Sequence, residues 1–188
     1  GIGTSSPAYK LDVSGSARIG TGTTTPSLLT MYPSASAKGW QISANNYVAS
    51  ALEFTCATAN GGTTFSTPSM LLDSSGNLGL GVTPSASWAT YKVLQIGEQG
   101  VISGFASGAG VLNTGANFYW DGSGYRYLTS NPASLYQQNA GAHNWRVAAS
   151  GTAGNAITFT QAMTLDASGN LMVGTTSPAA RLDIVGAS

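Results

Sequence analysis

Charge is scarce in this chain. Of 188 residues, seven are Lys or Arg and seven are Asp or Glu, 7% in all with no net charge, against roughly 25% in ordinary soluble domains. The cations Lys10, Arg18, Lys38, Lys92, Arg126, Arg146 and Arg181 stand singly along the chain, whereas a nucleic-acid reader clusters its cations to neutralise phosphates. A nucleic-acid partner is therefore excluded. No apolar run approaches the ~18 residues that cross a bilayer, and Gly1–Pro7 has neither the basic start nor the apolar stretch of a signal peptide. Membrane insertion is not expected. The chain starts inside a pattern at Gly1, without Met, as a fragment or processed product would.

Sulfur and imidazole are nearly absent too. Cys56 is the single cysteine, so no internal disulfide forms, and within Leu52–Cys56 (LEFTC) it reads as a small buried strand residue. His143 is the single histidine, which excludes a multi-histidine metal site and leaves any Ser-His-Asp triad dependent on this residue. Cys56 and His143 together match no zinc spacing. Neither a metal nor a cofactor is expected.

What is abundant is glycine (25 residues), hydroxyl side chains and apolar residues (42%), with 9% aromatics. Disordered chains combine high net charge with few apolar groups, so this one should fold. Its organisation shows in self-similarity. Met70–Gly81 (MLLDSSGNLGLG) returns 93 residues later as Met163–Gly174 (MTLDASGNLMVG). The second copy runs on as Gly174–Gly186 (GTTSPAARLDIVG), which matches Gly3–Gly15 (GTSSPAYKLDVSG). Gly81–Pro84 followed by Tyr91–Gly97 is a looser version. The recurrences divide the chain into the end of a first repeat (1–15), a second repeat (16–97), a third (98–186) with an aromatic hairpin at 117–128, and a terminus (187–188).

Each recurrent piece has a backbone meaning. Met70 and Leu72 alternate before Asp-Ser-Ser-Gly-Asn, and Leu78 and Leu80 alternate after it, which predicts a β-hairpin closed by Asp and Gly. The Gly-Thr-Ser-Ser-Pro cluster predicts an ordered turn, because proline lacks a ladder donor and holds its predecessor extended. Leu11-Asp12-Val13 and Leu182-Asp183-Ile184 predict half-buried strands. Gly39–Ala44 resembles Asn144–Ala149, a Trp strand, and Thr64–Thr67 resembles Thr158–Thr160, a Phe strand. Helical turns are conceivable at 49–54 and 132–138, but β-branched, aromatic and Gly content favours short strands throughout. Phe118-Tyr119-Trp120, then Asp121–Gly124, then Tyr125–Leu128 predicts a further hairpin.

The pattern Met-x-Leu-Asp-x-Ser-Gly-Asn-Leu-x-Val-Gly-Thr-Thr-Ser-Pro, followed by a Leu-Asp-Val strand, resembles repeats in the tail fibres and appendage proteins of tailed bacteriophages. The similarity is dense over about 115–186, covers 1–15 and 69–97 by short motif, and is loose over 16–68. It implies an all-β, repeat-built, intertwined homotrimeric fibre segment in the phage tail of the virion, acting outside the cell in host attachment as shaft, receptor-binding surface, or both. Its implied partners are copies of itself, other tail proteins, and a bacterial surface glycan or other receptor. Such repeats often precede a self-cleaving chaperone, so a cleaved end near Ser188 is a further expectation. Low charge suits chains that approach their own copies, where like charges would meet across a symmetry axis.

Little points to catalysis. Among Asp12, Glu53, Asp73, Glu98, Asp121, Asp166 and Asp183, the pairs Asp12/Asp183 and Asp73/Asp166 recur at strand and turn positions, which favours structural roles. Glu53, Glu98 and Asp121 remain as carboxylates for a tailspike-like polysaccharide depolymerase, and a bacterial surface adhesin is another reading. The Asp-Ser-Ser-Gly-Asn turns lack the alternating carboxylates of a calcium loop. Gly1-Ile2-Gly3 and Gly79-Leu80-Gly81 are too short for phosphate loops. The expectation is therefore a non-enzyme. The one feature with binding character is the aromatic hairpin, where Tyr119, Trp120, Asp121, Tyr125, Arg126 and Tyr127 could stack on and hydrogen-bond a sugar, or form a core between chains.

Overall fold

Two aspartates close the recurrent turns with the same hydrogen bonds. Asp73 Oδ1 accepts from the amides of Ser75 (2.9 Å) and Asn77 (2.8 Å), and its Oδ2 accepts from Asn77 Nδ2 (3.0 Å). Asp166 repeats this with Ser168 (2.9 Å), Asn170 (2.9 Å) and Asn170 Nδ2 (2.8 Å). Gly76 and Gly169 sit at φ 80° and 83°, a left-handed conformation that a side chain would strain. The aspartates are thus turn-formers, as their recurrence predicted.

The computed structural model describes residues 5, 27–31, 35–85, 88–105 and 110–186. It is all-β, with no helix among the described residues. The expected strand at 11–13, Asp12 and the first Gly-Thr-Ser-Ser-Pro turn lie outside them, Ser5 apart. The chain divides between Ser66 and Thr67 into two units.

The first unit is a meander of β1 (Ser27–Met31), β2 (Lys38–Ala44) and β3 (Leu52–Asn60), each antiparallel to the next. The segment considered for helix at 49–54 instead turns at 49–50 and enters β3. Phe65 makes only an isolated bridge to Ala57, so the expected Phe strand is absent there. Phe159 likewise lies in irregular chain just before a strand.

The second unit holds β4 (Met70–Leu72), β5 (Leu78–Leu80), β6 (Tyr91–Ile96), β7 (Gly100–Phe105), β8 (Leu112–Ala116), β9 (Tyr119–Trp120), β10 (Tyr125–Arg126), β11 (Ala133–Asn139), β12 (Ala142–Ala148), β13 (Thr160–Leu165), β14 (Leu171–Val173) and β15 (Leu182–Ile184). Ten of these form a ladder in the order β4-β5-β6-β7-β8-β11-β12-β13-β14-β15, and β9 with β10 make a separate hairpin. All neighbours are antiparallel except β5 with β6 and β14 with β15, where a strand returns parallel to the hairpin before it. The segment 132–138, considered for helix, supplies β11.

One face of this ladder carries the core. Tyr91, Val93, Val101 and Leu135 project from it and pack with Trp88 and Phe118, with Phe105, Tyr119, Trp120, Tyr125, Leu128, Ile157 and Phe159 around them. The rings meet edge-on, as between Tyr91 and Phe105 at 5.1 Å and 88°, the arrangement their quadrupoles favour. Gly79 lies on this face too: a Cβ there would strike the carbonyl of Val82, which folds over it. Met172 stands at the matching place in the later hairpin and is buried, filling with its own side chain the room that Gly79 leaves to a loop.

Candidate functional site

The aromatic hairpin forms at the Asp-Gly signal. Tyr125 lies opposite Trp120 and Arg126 opposite Tyr119. Asp121 Oδ1 accepts from Ser123 N (2.8 Å), Ser123 Oγ (2.8 Å) and Gly124 N (2.9 Å), while Oδ2 pairs with Arg126 Nε at 2.6 Å. The backbone amide of Ser123, then its hydroxyl and Arg126, hold the Asp121 carboxyl well below the usual carboxylate range. The pair is partly exposed at the surface.

Most of the remaining surface of this hairpin turns inward. Tyr127 is buried and its hydroxyl donates to the Ala149 carbonyl at 2.6 Å. Tyr125 meets Trp120 at 5.0 Å and Phe118 at 5.6 Å, and its hydroxyl accepts from Gln137 Nε2 at 3.1 Å. Burial, with Tyr91 beside it, pushes the Tyr125 phenol up from its ordinary value. Tyr119, Trp120, Asp121 and Arg126 keep partial access to solvent. The hairpin therefore covers its own sheet.

Asn117 holds this arrangement, and sequence reasoning gave it no role. It is fully buried at φ 63°. Its Nδ2 donates to the carbonyls of Thr129 (3.0 Å), Asn131 (2.6 Å) and Pro132 (3.2 Å), and its Oδ1 accepts from Thr129 N at 2.7 Å. An Asn at the junction of a strand and an aromatic run was the available signal, because Asn tolerates left-handed φ.

The three acids outside the recurrent motifs each have different surroundings. Glu53, in the first unit, is fully buried and accepts from Ser43 Oγ (2.8 Å), Tyr47 N (2.8 and 3.0 Å) and Val48 N (2.5 Å). Glu98 is exposed in the β6–β7 turn, and Asp121 is committed to its hairpin. His143 shares a hydrogen bond of 2.5 Å with Tyr136 and stacks against Trp145. Among the described residues no group of three His, Cys, Asp or Glu side chains gathers where it could hold a metal, and no helix is long and apolar enough to cross a membrane.

The larger candidate surface is the opposite face of each sheet. In the second unit the covered face carries Gln95, Ser103, Asn113, Gln137, Asn144 and Thr164, all buried. Several bond across strands: Gln137 Nε2 donates to Asn113 Oδ1 at 3.0 Å, Asn113 Nδ2 to Ser103 Oγ at 3.4 Å and Thr164 Oγ1 to Asn144 Oδ1 at 3.4 Å, while Gln95 bonds the Ser85 amide and the Glu98 carbonyl. The open face carries apolar groups in register. Met70 pairs Leu80, Leu78 pairs Leu94, Leu94 pairs Ile102, Tyr136 pairs Trp145, Trp145 pairs Met163, and Leu171 pairs Leu182. Ile96, Ile102, Leu112, Val147, Leu182 and Ile184 there are 40–66% exposed. A shallow groove lined by Thr114, Ser134, Tyr136, Trp145 and Val147 crosses this face. Among the described residues Lys92 is the one charged strand residue on it, and its ammonium is tied to the Ser75 carbonyl.

The first unit repeats the arrangement. Gln41, Ser43, Glu53 and Thr55 are buried, while Leu29, Met31, Trp40 and Leu52 are 41–46% exposed. Cys56, expected to be buried, is half-buried, because it lies opposite Trp40 on the apolar, open side. Leu182 and Ile184 correct the expectation for their strand in the same way: Asp183 is half-buried and they are exposed. No protein-family model matches this chain, and no curated protein matches it.

Proposed function

We propose that this chain is a structural segment of a viral tail fibre, a homotrimer of the phage virion that contributes to host attachment, with its copies meeting on the open apolar faces. The observation that carries this reading is the open face: the covered face buries an apolar core together with Gln95, Ser103, Asn113, Gln137, Asn144 and Thr164, while a second set of apolar residues stands bare on the other side. Ten strands about 4.8 Å apart, with two outward apolar residues on most of them about 7 Å apart, give a stripe of about 600 Å². Apolar patches on lone proteins reach about 300–600 Å² and mark binding sites at that size. A stable interface takes about 800 Å² from each partner. An apolar face almost free of charge suits contact with copies of itself, since no like charges oppose one another across the axis. The recurrent tail-fibre-like motifs point to the same role, and Tyr119, Trp120, Asp121 and Arg126 at the surface of the aromatic hairpin are the residues for a glycan contact.

Solution mass by sedimentation or light scattering, with SDS gels run with and without boiling, tests the reading. A mass three times that of one chain, carried into the unboiled gel, is the expected result. A monomer at micromolar concentration overturns it.

A further inference from the structure

A cavity of about 390 Å³ lies where the loop after β5 and the chain after the aromatic hairpin flank the β6–β7 turn, all within the second unit. Its first wall depends on one glycine. A Cβ at Gly79 would strike the Val82 carbonyl and the Pro84 ring, so only glycine lets residues 81–85 lie down on the sheet there.

The other walls are fixed by buried amides. Gln95, 3% exposed, holds two of them at once. Its Oε1 accepts from the Ser85 amide at 3.0 Å, and its Nε2 donates to the Glu98 carbonyl at 3.4 Å. Thr129 is held by Asn117, whose Oδ1 accepts from its amide at 2.7 Å and from its hydroxyl at 3.0 Å. The cavity is therefore set before any ligand arrives, which spares the ordering cost of binding.

The lining has a definite chemistry. It carries the hydroxyls of Thr83, Ser85 and Thr129, the carboxylate of Glu98, and the aliphatic side chains of Val82 and Leu128. No Lys or Arg is among these residues, so a phosphate, sulfate or carboxylate would meet only the like charge of Glu98. No aromatic ring is among them for a base to stack on. Hydroxyl and carboxylate groups beside aliphatic ones match a sugar ring, whose hydroxyls point outward around an apolar C–H face. The volume stands toward the small end of the range for ligand pockets, which suits a single ring.

We propose that this cavity binds one neutral pyranose residue of a glycan. Glu98 accepts hydrogen bonds from two neighbouring sugar hydroxyls, Thr83 and Ser85 bond a third, and the C–H face lies on Val82 and Leu128. Glycoside hydrolysis takes two carboxylates about 5–10 Å apart, and Glu98 is the only acid in the lining, so the site holds the sugar without cleaving it. The assignment deepens the host-attachment reading and rests on it for the source of the sugar, whereas the class of sugar rests on the lining.

The test titrates the full chain with the methyl glycosides of glucose, galactose and mannose and follows backbone amide shifts by ¹⁵N NMR. At least one glycoside should shift the Thr83, Ser85, Glu98 and Thr129 amides and saturate in the millimolar range, and the matching uronate should bind more weakly. Glu98→Gln, at an exposed turn position, should weaken binding about tenfold, and Thr83→Val, which keeps the shape and removes the hydroxyl, about fivefold. The absence of shifts with all three glycosides, or unchanged affinity in Glu98→Gln, overturns the proposal. So do shifts confined to residues 119–126, which would assign the sugar to the aromatic hairpin, and equal binding of n-butylammonium, which would reduce the site to a charge contact. Solution mass on the same sample separates the two readings: sugar binding by a monomer overturns the fibre and keeps the cavity's assignment, and a trimer without shifts does the reverse.

Discussion

Ser43 donates its hydroxyl to the Glu53 carboxylate at 2.8 Å, directly across the β2–β3 ladder. Their neighbours Ile42 and Phe54, paired one step along, point to the opposite side. A serine and a glutamate are thus buried where an isolated sheet would be expected to place its isoleucine and phenylalanine.

Glu53→Ala should be among the most destabilising single changes in the first unit. It leaves the Tyr47 and Val48 amides and the Ser43 hydroxyl without their acceptor, and orphaned buried groups cost about 1–3 kcal/mol each. A loss of about 3 kcal/mol or more is expected, read as a lower urea midpoint at unchanged slope. Glu53→Gln keeps one carbonyl oxygen and should lose less.

The two faces of the second sheet should respond oppositely to substitution. Leu135, 1% exposed, should lose about 2–5 kcal/mol of stability as Leu135→Ala. Val147 and Ile102, 49% and 40% exposed, should change the stability of a single chain by no more than about 0.5 kcal/mol as Val147→Glu and Ile102→Glu. The same two changes should lower the solution mass if copies meet on this face as proposed, because they introduce like charges there. Retention of the full mass in the double variant would count against that face as the interface.

Asn117→Ala should loosen the aromatic hairpin without removing a strand. Three carbonyls and the Thr129 amide lose their partner, and Ala at φ 63° is strained where Asn is tolerated. A loss of about 3 kcal/mol is expected, together with faster hydrogen exchange at residues 125–131. Asn117→Gly relieves the strain alone and should restore only part of the stability.

Alkaline unfolding should follow Tyr125. Its folded phenol titrates above the ordinary value near 10, mainly because burial disfavours the phenolate. The unfolded chain therefore releases this proton first, and stability, fully present below pH 10, should fall as pH rises from there toward the folded value. Tyr125→Phe should flatten this alkaline slope while giving up the hydrogen bond from Gln137. Equal slopes in the two proteins would show that other groups dominate.

Acid should act on the turns in the opposite sense. Asp121 and Asp166 are held below the ordinary carboxylate range, chiefly by backbone amides, of Ser123 and of Asn170. Their contribution is present above the unfolded value near 3.9 and is lost as pH falls from there through the folded values. Carboxyl ¹³C titration should find both midpoints below the ordinary aspartate value near 3.9. Asp121→Asn should reduce the acid dependence while keeping the hairpin, since Asn accepts the same turn hydrogen bonds.

Much of the local structure was legible from residue order. Asp-Ser-Ser-Gly-Asn and Asp-Gly announced their turns because Asp side chains accept the amides two to four residues on and Gly takes positive φ. The alternation around them announced strands. The Phe strands failed for a physical reason: Phe65 and Phe159 sit in short runs, and Phe159 is held by rings from other elements, Phe118 at 6.4 Å and Tyr125 at 5.6 Å, rather than by a ladder. The candidate site was half legible. The aromatic hairpin was visible, but Asn117 was not, since its partners lie 12 to 15 residues away.

The sequence alone determined that this chain is built of short strands joined by Asp, Gly and Pro turns, and that two kinds of residue alternate along them. It also determined that charge would be sparse on both sides of those strands. A period of two separates residues into faces but carries no information about which face is covered, because both sides of a strand are equivalent until something packs on one. Only the tertiary structure decided that. In the second unit, Asn117 and the aromatic hairpin fold over the side bearing Gln137 and Asn144. In the first, the loop after β2 brings the Tyr47 and Val48 amides onto Glu53. Both leave the apolar side open.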